Sequence, residues 1–236
     1  MNKINIDIMN EALYVRTLKN GFTIYMFPDD RIHKYYVTLT TKYGAIHDEF
    51  IPKGHTEMMK FPTGIAHFLE HQMFENKDGR DLDLLFEANG AKVNAFTSHE
   101  CTSYLFGATD HVKENVGLLL ERVYSLNSTD ETVAKEKGII IQELKMYKDN
   151  PSSALFETIA ESIFVNDNRR INVGGTIEDV ERTTRDELEL CYNTFYQPHN
   201  MYMVVTGNFD RDEIIEVVET YMANNKFDEK KEIVTK

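Results

Sequence analysis

The chain has 236 residues, 42% hydrophobic and 28% charged, which suits a soluble globular protein with a substantial core. Its 39 acidic and 26 basic residues give a net charge of −13 with no basic cluster, which argues against nucleic acid or an anionic membrane as partner. No apolar run reaches membrane-spanning length, and the opening MNKINIDIMNEALYV lacks the uninterrupted apolar core of a signal peptide. Cys101 and Cys191 lie far apart and form no C-x-x-C pair, so the expected setting is the reducing cytoplasm.

In chain order, YVRTLKNGFTIYMFPD reads as a hairpin turning at Asn20-Gly21. KYYVTLTTKYG (34–44) follows as a third strand, then a polar loop over 45–62. TGIAHFLEHQMFE reads as a helix with Thr63 as its N-cap, and DLDLLFEANG as a second helix closed by Asn89-Gly90. KVNAFTS and TSYLFGA are consecutive strands. Three helices come next, DHVKENVGLLLERVYSL, DETVAKEKGIIIQELKMYK and SSALFETIAESIF, with Asp110 and Asp130 as the expected caps of the first two. TTRDELELCYNTFY is a helix stopped by Pro198, MYMVVTGNF a buried strand and DRDEIIEVVETYM the last helix.

Paired strands, a block of helices and a late strand predict an α+β fold, with a mainly antiparallel sheet of five to six strands and helices packed on one face. The expected organisation is a single domain over 1–224, with 225–236 as a polar, frayed tail or a linker to a second domain. Gly174-Gly175 marks a turn, since no nucleotide-binding pattern surrounds it.

The candidate chemistry lies in GIAHFLEHQMFE. At roughly 100° per residue, His67 and His71 fall about 40° apart on one helix face, the spacing at which two imidazoles can grip one metal ion. Glu70, one residue short of His71, points beside that ion and can reach a water there. The order H-x-x-E-H reverses the common H-E-x-x-H. A catalytic zinc takes three protein ligands, so a third must come from elsewhere. In KEKGIIIQELKMY, Glu136, Ile140 and Glu143 form one helical stripe, and two carboxylates there are costly to bury without a cation against them. Glu143 then reads as third ligand and Glu136 as an acid supporting the histidines. Taken singly, these carboxylates read as a solvated face and the histidines as structural groups; His55, His99, His111 and His199 stay unassigned.

These residues resemble the pitrilysin/insulinase family of zinc peptidases, the inverzincins, and most nearly its bacterial, processing-peptidase-like members. TLKNGFTIY, GIAHFLEHQMF, ANGAKVNAFTSHECTSYLF, EKGIIIQELKMYKDNP and FYQPHNMYMVVTGNF are each similar to family segments, in the same order. The resemblance implies a processing-peptidase-like metallohydrolase domain acting as a zinc endopeptidase on short, unstructured peptides. It implies one Zn2+ per chain on His67, His71 and Glu143, with Glu70 as general base and Glu136 in support. It also implies that Asn94, Ala95 and Phe96 line the peptide as it adds to a sheet edge. Family members are built from repeated domains of this size, so a second homologous domain or subunit is the expected partner. The alternative reading is a non-catalytic structural or regulatory subunit, whose metal motif is usually degraded. The S-ribosylhomocysteine lyases share H-x-x-E-H but take a cysteine as third ligand, and neither Cys101 nor Cys191 has that setting.

Overall fold

The computed structural model describes residues 1–6, 11–76 and 79–236. Its main sheet holds β1 (Asn2–Ile6), β2 (Glu11–Thr17), β3 (Thr23–Pro28), β4 (Tyr35–Thr41), β7 (Lys92–Thr97), β8 (Thr102–Ala108) and β9 (Met201–Gly207). Two short strands, β5 (Glu49–Phe50) and β6 (Met59–Lys60), pair separately inside the expected loop. The order across the main sheet is β1-β2-β3-β9-β4-β8-β7. Every pairing in it is antiparallel except β3 with β9, where Tyr25 faces Val204 in a parallel register. The architecture is α+β, as expected, with seven strands in the sheet rather than five or six.

The additional strand of the main sheet has a physical explanation. β1 is almost wholly exposed, so its NKINI sequence carries no burial pattern to read; it is held by its ladder to β2. The hairpin between β2 and β3 is longer than a two-residue turn: Thr17 pairs with Thr23, and Gly21 takes a left-handed φ of +90° inside the loop. In β4 the side chains of Tyr35, Val37 and Leu39 are buried while Tyr36 is exposed, and in β9 Met201, Met203 and Val205 are buried. That period-two alternation gives the sheet one core face.

The helices are α1 (Ile65–Gln72), α2 (Leu82–Ala88), α3 (Val112–Val123), α4 (Asp130–Asp149), α5 (Pro151–Ile163), α6 (Ile177–Arg182), α7 (Arg185–Phe195) and α8 (Arg211–Asn224). Helix α6 was not expected; at six residues it is too short to show a period. None of the described helices is long and apolar enough to cross a membrane. Helices α1, α2 and α3 lie on the sheet, α4 packs across α1, and α5 and α6 pack on α4.

All three expected N-caps are displaced. Helix α1 starts from Gly64, not Thr63; α3 starts from His111, with the Asp110 carbonyl instead accepting the Tyr35 hydroxyl at 2.9 Å. Helix α4 is capped by Thr129, one residue before Asp130, in a reciprocal capping box with Thr132. The polar 225–236 segment is not frayed but returns along the domain. Phe227 and Ile233 pack on the core, the Ile51 N–H donates to the Val234 carbonyl at 3.0 Å, and Phe50 bridges Thr235.

The capping box gives a direct check. Thr129→Ala removes the side-chain acceptor for Thr132 N–H and is expected to cost about 1 kcal/mol, read as a lower denaturant midpoint at unchanged slope. Asp130→Ala, which removes only a charge near the positive helix end, is expected to cost less, about 0.5 kcal/mol.

Candidate metal centre

Helix α1 buries Ile65, Ala66, Phe68, Leu69 and Gln72, turns His67 and Glu70 toward a cavity and sets His71 between Glu136 and Glu143. Helix α4 meets it with the predicted stripe: Val133, Glu136 and Ile140 are buried and Glu143 follows half-buried. The structure thereby brings residues 67, 71 and 143 together. Glu143 Oε2 lies 3.7 Å from His67 Nε2 and 3.4 Å from His71 Nε2. One ligand atom from each of the three lies within 4.8 Å of the other two, and among the described residues no other trio of His, Cys, Asp or Glu meets this condition.

The donor set fits a zinc ion. Tetrahedral zinc with ligands at ~2.0–2.1 Å has ligand atoms about 3.4 Å from one another, close to the two separations from Glu143. Ligand imidazoles must be neutral. Burial, aided by the nearby His71, lowers the His67 pKa to about 4, against the opposing pull of Glu143. His67 therefore presents a lone pair at neutral pH. The other side of His71 is held by Glu136, whose Oε2 is 3.0 Å from His71 Nδ1. A carboxylate accepts, so Nδ1 is the donor toward Glu136, and Nε2 is turned toward Glu143. Glu136 is only 6% exposed, and its partners are this imidazole and Lys135, whose Nζ is 3.8 Å from its other oxygen.

Glu70 faces the same cavity from α1. Burial raises its pKa, and a hydrogen bond from the Thr97 hydroxyl opposes that rise. Thr97 ends β7, the last strand of the sheet, whose outer edge has no neighbour among the described strands. The cavity, about 450 Å³, is walled by Ala95 and Phe96 of β7, by Tyr147 of α4, by Phe156 and Glu157 of α5 and by the 172–174 turn. Phe96 is half exposed on its rim. Asn94 lies outside this cavity, in a separate groove with Lys34 and Tyr36, and its Oδ1 accepts the N–H of Ala95 at 2.9 Å.

Thr97 and Tyr147 were not anticipated. Tyr147 stands one turn after Glu143, whose negative charge raises its pKa, and its i+4 spacing was readable from the sequence. Thr97 reaches Glu70 only through the fold and left no local signal.

Known proteins show the same arrangement of segments. The family model described as Insulinase (Peptidase family M16) matches residues 50–176, over half of the chain and all of residues 67, 70, 71, 136 and 143. The chain belongs to the M16 peptidase family. A second model, described as the Peptidase M16 inactive domain, matches residues 182–236, beyond the cluster. An uncharacterized zinc protease of Bacillus subtilis, YmfH, is 40% identical over 98% of this chain and 54% of its own. The mitochondrial-processing peptidase subunit beta of Caenorhabditis elegans is 27% identical over 75% of this chain and 40% of its own. Among solved structures, an M16-like peptidase from Alicyclobacillus acidocaldarius superposes with a TM-score of 0.90 at 38% identity, covering 94% of this chain and 52% of that one. The chain thus spans about half the length of these M16 relatives.

The His71–Glu136 bond makes a prediction for the metal-free protein. Nitrogen NMR of wild type is expected to show His71 protonated at Nδ1. Glu136→Ala is expected to lose the Nδ1 preference and move the proton toward Nε2, which faces Glu143 Oε2 at 3.4 Å.

Proposed function

We propose that this chain is the catalytic part of a zinc endopeptidase that hydrolyses short, unstructured peptides. The observation that carries the reading is the convergence of His67, His71 and Glu143 on one point, with Glu70 facing the same cavity. One zinc per chain would be held by residues 67, 71 and 143, with Glu136 fixing His71. When bound, zinc acidifies water and polarises a carbonyl at the open coordination position.

The chain's own groups supply the rest. Glu70, partly desolvated, takes a proton from water and delivers it to the leaving amine, while Thr97 holds its carboxylate in line. The free edge of β7 offers backbone groups to an extended peptide, with Ala95 and Phe96 beside the cavity. Asn94 joins this surface through its bond to the Ala95 N–H, which an incoming strand would have to displace. Strand addition reads backbone rather than sequence, so the substrate class is unfolded peptide.

The half-length match supports a second homologous domain or subunit as the partner that completes the chamber. In that reading residues 1–224 form the catalytic domain, and 225–236, which pack back along it, serve as the linker to the partner. The unpaired Cys101 and Cys191 support a reducing, cytoplasmic setting. Neither nucleic acid nor membrane enters the proposal, in keeping with the acidic charge. A non-catalytic subunit is the second reading, favoured by the match of residues 182–236 to an inactive-domain model.

Two measurements decide between them. Elemental analysis is expected to find one zinc in each wild-type chain and a sharp loss in Glu143→Gln. Glu70→Gln should keep its zinc yet cleave a quenched fluorescent peptide, in the presence of the partner half, on the order of 10²–10⁴-fold more slowly. Equal cleavage by Glu70→Gln and wild type would reject the general base; zinc-loaded wild type with no cleavage beside its partner would favour the non-catalytic subunit.

A further inference from the structure

The metal-binding helix α1 is only eight residues long, so the placement of its first turn sets where His67 and His71 stand. That first turn has no side-chain cap of its own. It is held from outside, by a segment more than a hundred residues later in the chain.

Thr63, immediately before the cap residue, gives both its donors to Asp179 of α6. Its N–H reaches Asp179 Oδ2 at 2.9 Å, and its hydroxyl donates to the same oxygen. The Thr176 N–H closes the arrangement onto Thr63 Oγ1 at 3.4 Å. Below these bonds two glycines meet backbone to backbone. A Cβ on Gly64 would lie 2.2 Å from the Gly174 carbonyl oxygen, and one on Gly175 would lie 2.2 Å from the Thr63 carbonyl oxygen. Both glycines have left-handed φ values, +78° and +79°, so neither position accepts a side chain on conformational grounds either.

The same turn touches both ligand helices. A Cβ on Gly174 would be 3.6 Å from His67 Nδ1 and 2.8 Å from Leu144 Cδ2, and Leu144 adjoins Glu143. Asp179 itself stands away from the cavity, and its second oxygen is taken by Arg182 Nε at 2.7 Å. Its reach to the centre is through Thr63 to Gly64, whose carbonyl accepts the Phe68 N–H at 2.9 Å in the first helical bond of α1. His67 precedes Phe68 on that turn.

We infer that Asp179 is a positioning residue for the metal centre, fixing the start of α1 through Thr63 so that His67 meets Glu143. The inference rests on the zinc reading above. A ligand held an ångström out of place forfeits much of its coordination energy, and supports of this kind are worth about 10–100-fold in metal affinity.

The test is zinc affinity of the full chain, measured by competition with a chromogenic chelator, alongside melting temperature in the metal-free state. Asp179→Ala is expected to bind zinc about 10-fold or more weakly, with full stoichiometry at saturating zinc. Asp179→Asn keeps a carbonyl oxygen that can accept from both Thr63 donors, so it is expected to stay within about threefold of wild type. Thr63→Val keeps the shape and the N–H bond to Asp179 but removes the hydroxyl, as donor to Asp179 and as acceptor for the Thr176 N–H. It is expected to fall between them and serves if Asp179→Ala does not fold. Wild-type affinity in Asp179→Ala or, where that variant does not fold, in Thr63→Val would overturn the inference, even with a lowered melting temperature, because the role would then be structural only. Asp179→Asn as weak as Asp179→Ala would overturn it too. A wild type that binds no zinc would instead fail the zinc reading itself, and the inference with it.

Discussion

The candidate site depends on one contact, the crossing of α4 over α1. Ile140, fully buried, and the buried apolar face of α1 draw the two helices together. That packing carries Glu136 into the interior, where an unpaired carboxylate would cost several kcal/mol on the order of the ion-burial penalty. The imidazole of His71 and the ammonium of Lys135 offset the cost. The hydrophobic contact thus forces a polar one, and the polar one orients a histidine. Glu143, two turns after Glu136, then falls beside both imidazoles because the helical period leaves it nowhere else to point.

Burial does different work on each ionisable group around the cavity. It keeps His67 neutral and ready to donate a lone pair, and it raises the proton affinity of Glu70, which would suit the general-base role proposed for it. Thr97 moderates the second effect from a strand on the sheet's edge. The candidate site thus depends on helix and sheet together: the helices supply the three candidate ligands, and the edge strand supplies the partner for Glu70 and an outer edge with no neighbour among the described strands.

The features that were legible in the sequence are those encoded within one turn of helix. His67, Glu70 and His71 share a helix by spacing alone, and 136, 140 and 143 share a stripe for the same reason. The rest was set by distant partners. Thr63 looked like a cap because it is a good one, yet Asp179 competes for its hydroxyl and wins. Asp110 and Asp130 were each misread by a residue: α3 starts from His111 with no side-chain cap bond, and Thr129, an equally good cap residue, takes the start of α4. Asn94 was grouped with Ala95 and Phe96 by adjacency; its side chain folds back onto the strand rather than into the cavity. β1 gave no signal because an exposed strand needs no apolar alternation.

Strand β9 enters the sheet between β3 and β4, two strands that are near neighbours in sequence but never touch as a pair. Its ladder to β3 joins Thr23 to Tyr202 and Pro28 to Gly207, across nearly the whole chain. Contacts of such long range close slowly, because the loop between them must be ordered first. During synthesis the earlier strands therefore wait with open edges until residue 207 has left the ribosome. The centre of the sheet is completed only once β9 has been made, and a nascent chain that already holds residues 67, 71 and 143 still lacks the strand that joins its two halves.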